Sequence, residues 1–195
     1  MSFGATTLTE RDMSRLAPIE QKLAKALAAE RGRPSPAAKP TIPVEDSIGI
    51  DLGVSDPGGT IRLDLEKLLD GRLLVQGTSG AGKSWTLRRI LEQTHGLVQQ
   101  IVIDPEGEFV SLARHFDYPT VDGSRLDTAA LAIAASRARE HRLSILLDLS
   151  QIDREAQMQG ATAFLGALIA APREHWHPAL IAIDEGSKQP ARNRP

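Results

Sequence analysis

Arg72-Leu73-Leu74-Val75-Gln76-Gly77-Thr78-Ser79-Gly80-Ala81-Gly82-Lys83-Ser84 sets an apolar run, a glycine-rich loop and the start of an amphipathic segment in direct succession. The apolar run predicts a buried strand, and the stretch from Lys83 through Leu91 predicts a helix. Between them, residues 77–84 fit the spacing G-x-x-x-x-G-K-[ST]. A polyphosphate carries several negative charges, so a loop that wraps it must turn backbone N–H groups inward. Gly77, Gly80 and Gly82 supply the backbone angles and close approaches this requires, with Thr78, Ser79 and Ala81 between them. The helix that follows points unsatisfied N–H groups and its positive dipole end at the anion, with Trp85 in its first turn. Lys83 adds a full charge for the β- and γ-phosphates, and Ser84 offers a hydroxyl to a magnesium ion. The stretch reads as a phosphate cradle.

Downstream, Val98-Gln99-Gln100-Ile101-Val102-Ile103 predicts the next strand, and Ser144-Ile145-Leu146-Leu147 and Leu180-Ile181-Ala182-Ile183 predict two more. Each ends on an acid: Asp104, Asp148 and Asp184. Between them lie a short helix carrying Phe109, Leu112 and Phe116, a helix over 126–142 capped by Asp127, and a longer one over 154–171 stopped by Pro172. Apolar strands separated by helices indicate an α/β fold: a mostly parallel sheet with helices on both faces, binding ligands outside the carboxyl ends of its strands.

The acids then acquire chemistry. A strand-terminal aspartate such as Asp184 suits a nucleotide-bound magnesium held opposite Ser84. Glu185, directly after it, is placed to orient or deprotonate an attacking water. Asp104, Glu106 and Glu108 either line the site and sense the terminal phosphate or cap the short helix after them. For Asp148 and Ser150 a structural part is expected, with Ser150 or Asp153 capping the helix that begins near Arg154.

Upstream, Ser47 to Leu52 and Thr60 to Leu63 alternate as a hairpin across a turn containing Asp56-Pro57-Gly58-Gly59, and Asp64 caps a short helical turn. Leu16, Ile19, Leu23, Ala24 and Leu27 recur at helical spacing and Gly32 closes the pattern. That helix suits either a docking arm for a neighbouring subunit or a helix laid on its own domain. Four prolines over 34–43 make a linker. The expected organisation is therefore a helix and linker over 1–43, a small β segment over 44–63, a core over 64–185 and a disordered tail over 186–195.

With 195 residues, 41% of them apolar, the chain can bury a core. A formal charge of −2 provides no global positive field, so any contact with DNA must use a local patch or an assembled pore. The absence of cysteine excludes disulfides and thiolate metal sites, and the five histidines read as surface or loop residues. No run approaches the roughly 18 apolar residues of a membrane span, and no leader-like segment opens the chain, which points to a cytoplasmic location and no membrane partner.

Gly77-Thr78-Ser79-Gly80-Ala81-Gly82-Lys83-Ser84, Ile103-Asp104-Pro105-Glu106-Gly107-Glu108-Phe109, Leu147-Asp148-Leu149-Ser150 and Ile183-Asp184-Glu185, in that order, resemble the ATPase core of the HerA/FtsK superfamily, closest to its HerA-like branch. The resemblance covers residues 46–185 and implies a RecA-like P-loop NTPase fold. It implies ATP and Mg2+ as ligands, residues 77–85 around the nucleotide, Ser84 and Asp184 holding magnesium, and Lys83 and Glu185 as catalytic residues. It further implies a homo-hexameric ring that hydrolyses ATP and moves double-stranded DNA as a translocase or helicase, or association with full-length relatives. After Glu185 the sequence turns polar and proline-rich, where the family continues with further strands and an arginine finger. The expectation is a core cut short after the Asp184-Glu185 strand, with slow hydrolysis, or a nucleotide-binding fragment without productive turnover. A conjugation or secretion ATPase of the same superfamily is a further reading.

Overall fold

The computed structural model describes residues 48–56 and 58–184, together with residue 21. The expected N-terminal helix, the linker, Glu185 and the tail lie outside the described residues.

A hairpin opens the described chain. β1 (Gly49–Val54) and β2 (Thr60–Asp64) pair antiparallel, with Ile50 opposite Leu63 and a bulge between Asp51 and Gly53. Gly53 takes a φ of 133° there, and the Asp51 carboxylate accepts from its N–H. Asp64 then caps α1 (Leu65–Asp70), its carboxylate accepting from the N–H groups of Glu66 and Lys67. Ile50, Leu65 and Leu68 bury themselves with Ile90 of α2 (Lys83–Thr94), so the hairpin buttresses the helix that follows the cradle. Polar contacts fix that join: Asp51 N–H donates to Gln93 Oε1 at 2.8 Å, and Gln93 Nε2 and Arg89 Nε both donate to the Asp51 carbonyl.

The main sheet has four parallel strands in the order β4 (Thr120–Asp122), β5 (Ile145–Asp148), β3 (Gln99–Asp104), β6 (Ala179–Ile183). Side chains alternate between its faces as the pleat dictates. Val102, Leu146 and Ala182 pack with Leu91 of α2 and with Leu112 and Ala113 of α3 (Val110–His115). Ile101, Ile103, Ile145 and Leu147 pack against α4 (Thr128–Glu140) and α5 (Arg154–Ile169), where Ala134, Ala135 and Ala138 allow close approach to Phe164. All six residues of β3 are buried, as a central parallel strand covered on both faces requires. Asp127 and Asp153 cap α4 and α5, accepting from Ala130 N–H and Ala156 N–H. The strand at 120–122 has no counterpart in the apolar pattern: three residues are too few to show a period.

One expectation fails. Residues 72–77 form no strand, and Leu74 in their middle is 76% exposed. An apolar run becomes a strand only where a neighbouring strand supplies the ladder and a second layer covers it. In the described residues β6 pairs with β3 alone, and its outer edge takes no partner from 72–77.

Candidate functional site

The cradle loop is shaped by its glycines. Gly80 and Gly82 adopt φ of 79° and 91°, in the left-handed region that side chains avoid. Gly77 is constrained by contact instead: a Cβ there would lie 2.9 Å from the Cβ of Ala81. Ala81 N–H donates to the Thr78 carbonyl at 3.1 Å and closes the turn. Gly82 precedes α2 and gives it no side-chain cap, so the helix opens with N–H groups available to an anion. Lys83 Nζ folds over the loop and donates to the Thr78 carbonyl at 3.2 Å.

The far side of the site comes from a strand a hundred residues away. Ser84 Oγ donates to Asp184 Oδ2 at 2.9 Å. Asp184 is 5% exposed and its N–H donates to the Ile103 carbonyl, so β6 is held against β3 where the aspartate emerges. A hydroxyl and a carboxylate are hard oxygen donors, the type of set with which a magnesium ion keeps several of its waters. The uncapped helix start, the glycine-shaped loop and this oxygen pair fit a magnesium-bound polyphosphate. Among the described residues no cluster of three or more His, Cys, Asp or Glu forms another metal site, and no helix is long and apolar enough to cross a membrane.

Asp104 stands at the same sheet edge, in register with Asp148 of β5. It is fully buried, and its carboxylate accepts three backbone N–H groups: Gly107 at 2.8 Å, Glu108 at 3.0 Å and Phe109 at 2.8 Å. Burial raises its pKa above the ordinary carboxylate value, against the opposing pull of those three bonds. Both oxygens are thus committed to the 105–109 turn, which decides the question the sequence left open for this residue: it organises the turn before α3. Gly107 makes the turn feasible, with φ 79° and a Cβ position only 3.2 Å from the Ser150 side chain. Asp148 accepts from Ser150 N–H and Oγ, so these two form a local turn, and the helix cap is Asp153 rather than Ser150. Glu106 is half-buried and Glu108 exposed.

Two residues that the motif reading passed over bind the site together. Arg88 donates to the Glu108 carbonyl at 3.0 Å and to Ser111 Oγ at 2.8 Å, and its guanidinium lies 5.7 Å from the ring centre of exposed Trp85. It ties α2 to the acidic turn. Its place four residues after Ser84, on one helix face, was the available signal. Gln157 Nε2 donates to the carbonyls of Pro105 and Leu149, bracing the turns after β3 and β5 from the first turn of α5. Histidines also hold more than the sequence suggested. His95 Nδ1 is hydrogen-bonded to the Tyr118 hydroxyl at 2.8 Å and its ring stacks on Phe116, and His177 Nε2 donates to the Arg139 carbonyl.

Strand order, parallel register, a glycine-shaped loop leading into a helix and a strand-end aspartate facing the cradle serine are the architecture of a P-loop ATPase core. No curated protein and no solved structure matches the chain. A family model described as "Helicase HerA, central domain" matches residues 50–165, more than half of the chain. It runs from the hairpin through the cradle into α5. By its sequence and its fold, the chain belongs to the HerA central-domain family of P-loop ATPases.

Proposed function

We propose that the chain binds Mg-ATP in the 77–84 cradle and that this binding serves ATP hydrolysis in an assembled, DNA-translocating ring. The observation that carries the reading is the Ser84 Oγ to Asp184 Oδ2 hydrogen bond of 2.9 Å at the uncapped start of α2. In this reading the loop N–H groups and the helix start hold the phosphates, and Lys83 exchanges its Thr78 carbonyl for a terminal phosphate oxygen. Ser84 and Asp184 would hold the magnesium ion, and Trp85 would lie beside the nucleotide. Bound magnesium would supply charge neutralisation at the phosphate oxygens. Glu185, next to Asp184 in sequence, would orient the attacking water and accept its proton. Double-stranded DNA as cargo and a homo-hexamer as the working form rest on the family alone.

A second reading, nucleotide binding without productive turnover, draws on residues 72–77. Their lack of strand pairing leaves the cradle braced chiefly from the α2 side. A loop held on one side can bind phosphates yet lack the preorganisation that lowers a barrier. Unfolding with and without Mg-ATP, followed by phosphate release, separates the two. Ligand at about a hundred times its Kd stabilises a binder by about 2.7 kcal/mol. Lys83→Ala should abolish that stabilisation. No stabilisation of the unsubstituted chain by Mg-ATP would refute both readings; stabilisation without phosphate release favours the second, and slow phosphate release lost in Lys83→Ala favours the first.

A further inference from the structure

Away from the cradle, a cleft of about 250 Å³ opens between β6 and the end of α5. Its walls are apolar: Ile101, Leu168, Ile169, Trp176 and Ile181, of which Ile169 is 70% exposed. One cation lines it. Arg139 is only 8% exposed, and it donates to Gln99 Oε1 at 2.6 Å and to the His177 carbonyl at 3.1 Å. Both partners are neutral. Among the described residues no carboxylate lies within 4.0 Å of its guanidinium. A buried cation with neutral partners alone keeps much of its desolvation cost, which a carboxylate brought in from outside would offset.

The sequence before the hairpin carries the complement. Leu16, Ile19, Leu23 and Leu27 recur at helical spacing, and Glu20 lies four residues after Leu16 and three before Leu23. In a helix Glu20 therefore sits inside the apolar stripe, where an acid is as out of place as Arg139 is in its cleft. Lys25 falls on the opposite side and Lys22 on the flank. The tether is long enough. Twenty residues separate Leu27 from Ile48, and a proline-rich linker of that length spans roughly 60 Å. Ile48 joins the hairpin beside β6: its carbonyl accepts from Leu65 N–H, and Leu180 of β6 packs against the Ile50 and Leu65 cluster.

We propose that residues 16–27 of the same chain dock as a helix on the cleft between β6 and α5, with Leu23 on Ile169 and Glu20 paired to Arg139. The docked helix covers the apolar face beside β6 on the side of the sheet remote from α2. It presents Lys22 and Lys25 to solvent.

The chain has no cysteine, which makes the test direct. The full chain carrying Leu23→Cys and Ile169→Cys is oxidised mildly and run under non-reducing conditions. The expected result is an intramolecular disulfide, at least about fivefold above the yield of a Lys25→Cys, Ile169→Cys control, because docking raises the effective concentration of one thiol at the other. Adding Glu20→Lys sets two cations together and should return the yield to that of the control. Equal yields in the two cysteine pairs would overturn the proposal. So would a disulfide found only between chains, which would assign the cleft to the segment of a second copy, or a yield indifferent to Glu20→Lys. Because Ile169 and residue 23 lie outside the cradle, the outcome does not depend on nucleotide binding.

Discussion

Replacing Asp104 tests the distinction between an acid that organises a turn and one that senses phosphate. Its carboxylate accepts from Gly107, Glu108 and Phe109, and the Phe109 bond is buried while the other two are partly so. In Asp104→Ala the Phe109 N–H is left without an acceptor at a cost of about 1–3 kcal/mol. The two half-buried N–H groups regain water and lose only the net worth of a bond, about 0.5–1 kcal/mol each. Loss of a buried carboxylate returns part of this, leaving a destabilisation of about 2–4 kcal/mol. Asp104→Asn keeps one oxygen but turns an amide toward one of the N–H donors, so about 1–3 kcal/mol is expected. The assay is urea unfolding, read as a fall in midpoint at unchanged slope. The pH dependence provides a second check. Because the folded pKa is raised from 3.8, the native state binds the proton more tightly than the unfolded chain. Its favourable contribution is full below pH 3.8 and is lost as pH rises through the folded value. Asp104→Asn should lack that loss. Variants within about 0.5 kcal/mol of the parent would refute the turn-organising part.

Other outcomes follow from single geometries. Gly82→Ala should destabilise the apo protein by about 1–2 kcal/mol through backbone strain alone, because a Cβ there meets nothing within 4 Å. Gly77→Ala instead clashes with Ala81, so Ala81→Gly should restore much of its loss in a double-mutant cycle, whereas it should do nothing for Gly82→Ala. Arg88→Ala should speed amide exchange over 108–111 while leaving the core strands protected, since its bonds to Glu108 and Ser111 tie that turn to α2 beside the apolar packing of Leu91 on Phe109 and Leu112. His177 has a pKa lowered from 6.5 chiefly by burial, so its contribution to stability is intact above pH 6.5 and is lost as pH falls through the folded value. Unfolding midpoints measured across acid pH should show that loss, and His177→Gln should reduce it.

Much of this molecule is legible without coordinates, and the reason is local. The glycines at 77, 80 and 82, the capping aspartates at 64, 127 and 153, and the helices they start depend on bonds between residues a few positions apart. The apolar strands at 99–104 and 145–148 are also readable, because a strand buried on both faces leaves a continuous apolar run. The same reasoning misjudges 72–77: an apolar run there promises burial, but burial is conferred by whichever strand and layer arrive beside it. The duty of Asp104 was likewise undecidable from spacing, since an acid before Pro105-Glu106-Gly107 can face a ligand or its own backbone. Gln157 and the Gln99 to Arg139 contact join residues far apart in the chain, and nothing in a linear pattern marks them; Arg88 is marked only by sharing a helix face with Ser84.

By itself the sequence determined the cradle, the parallel α/β class and the place of the acids at strand ends, because each follows from local conformational preference or from period. The sequence also nominated Asp184 as the acid opposite Ser84, but only the tertiary structure brings the two together. Strand order sets β6 beside β3, its register brings Asp184 out at the level of Asp104, and the packing of α2 against that sheet carries Ser84 to within hydrogen-bond reach of Asp184. A contact across a hundred residues depends on how layers stack, and stacking is a property of the folded chain as a whole.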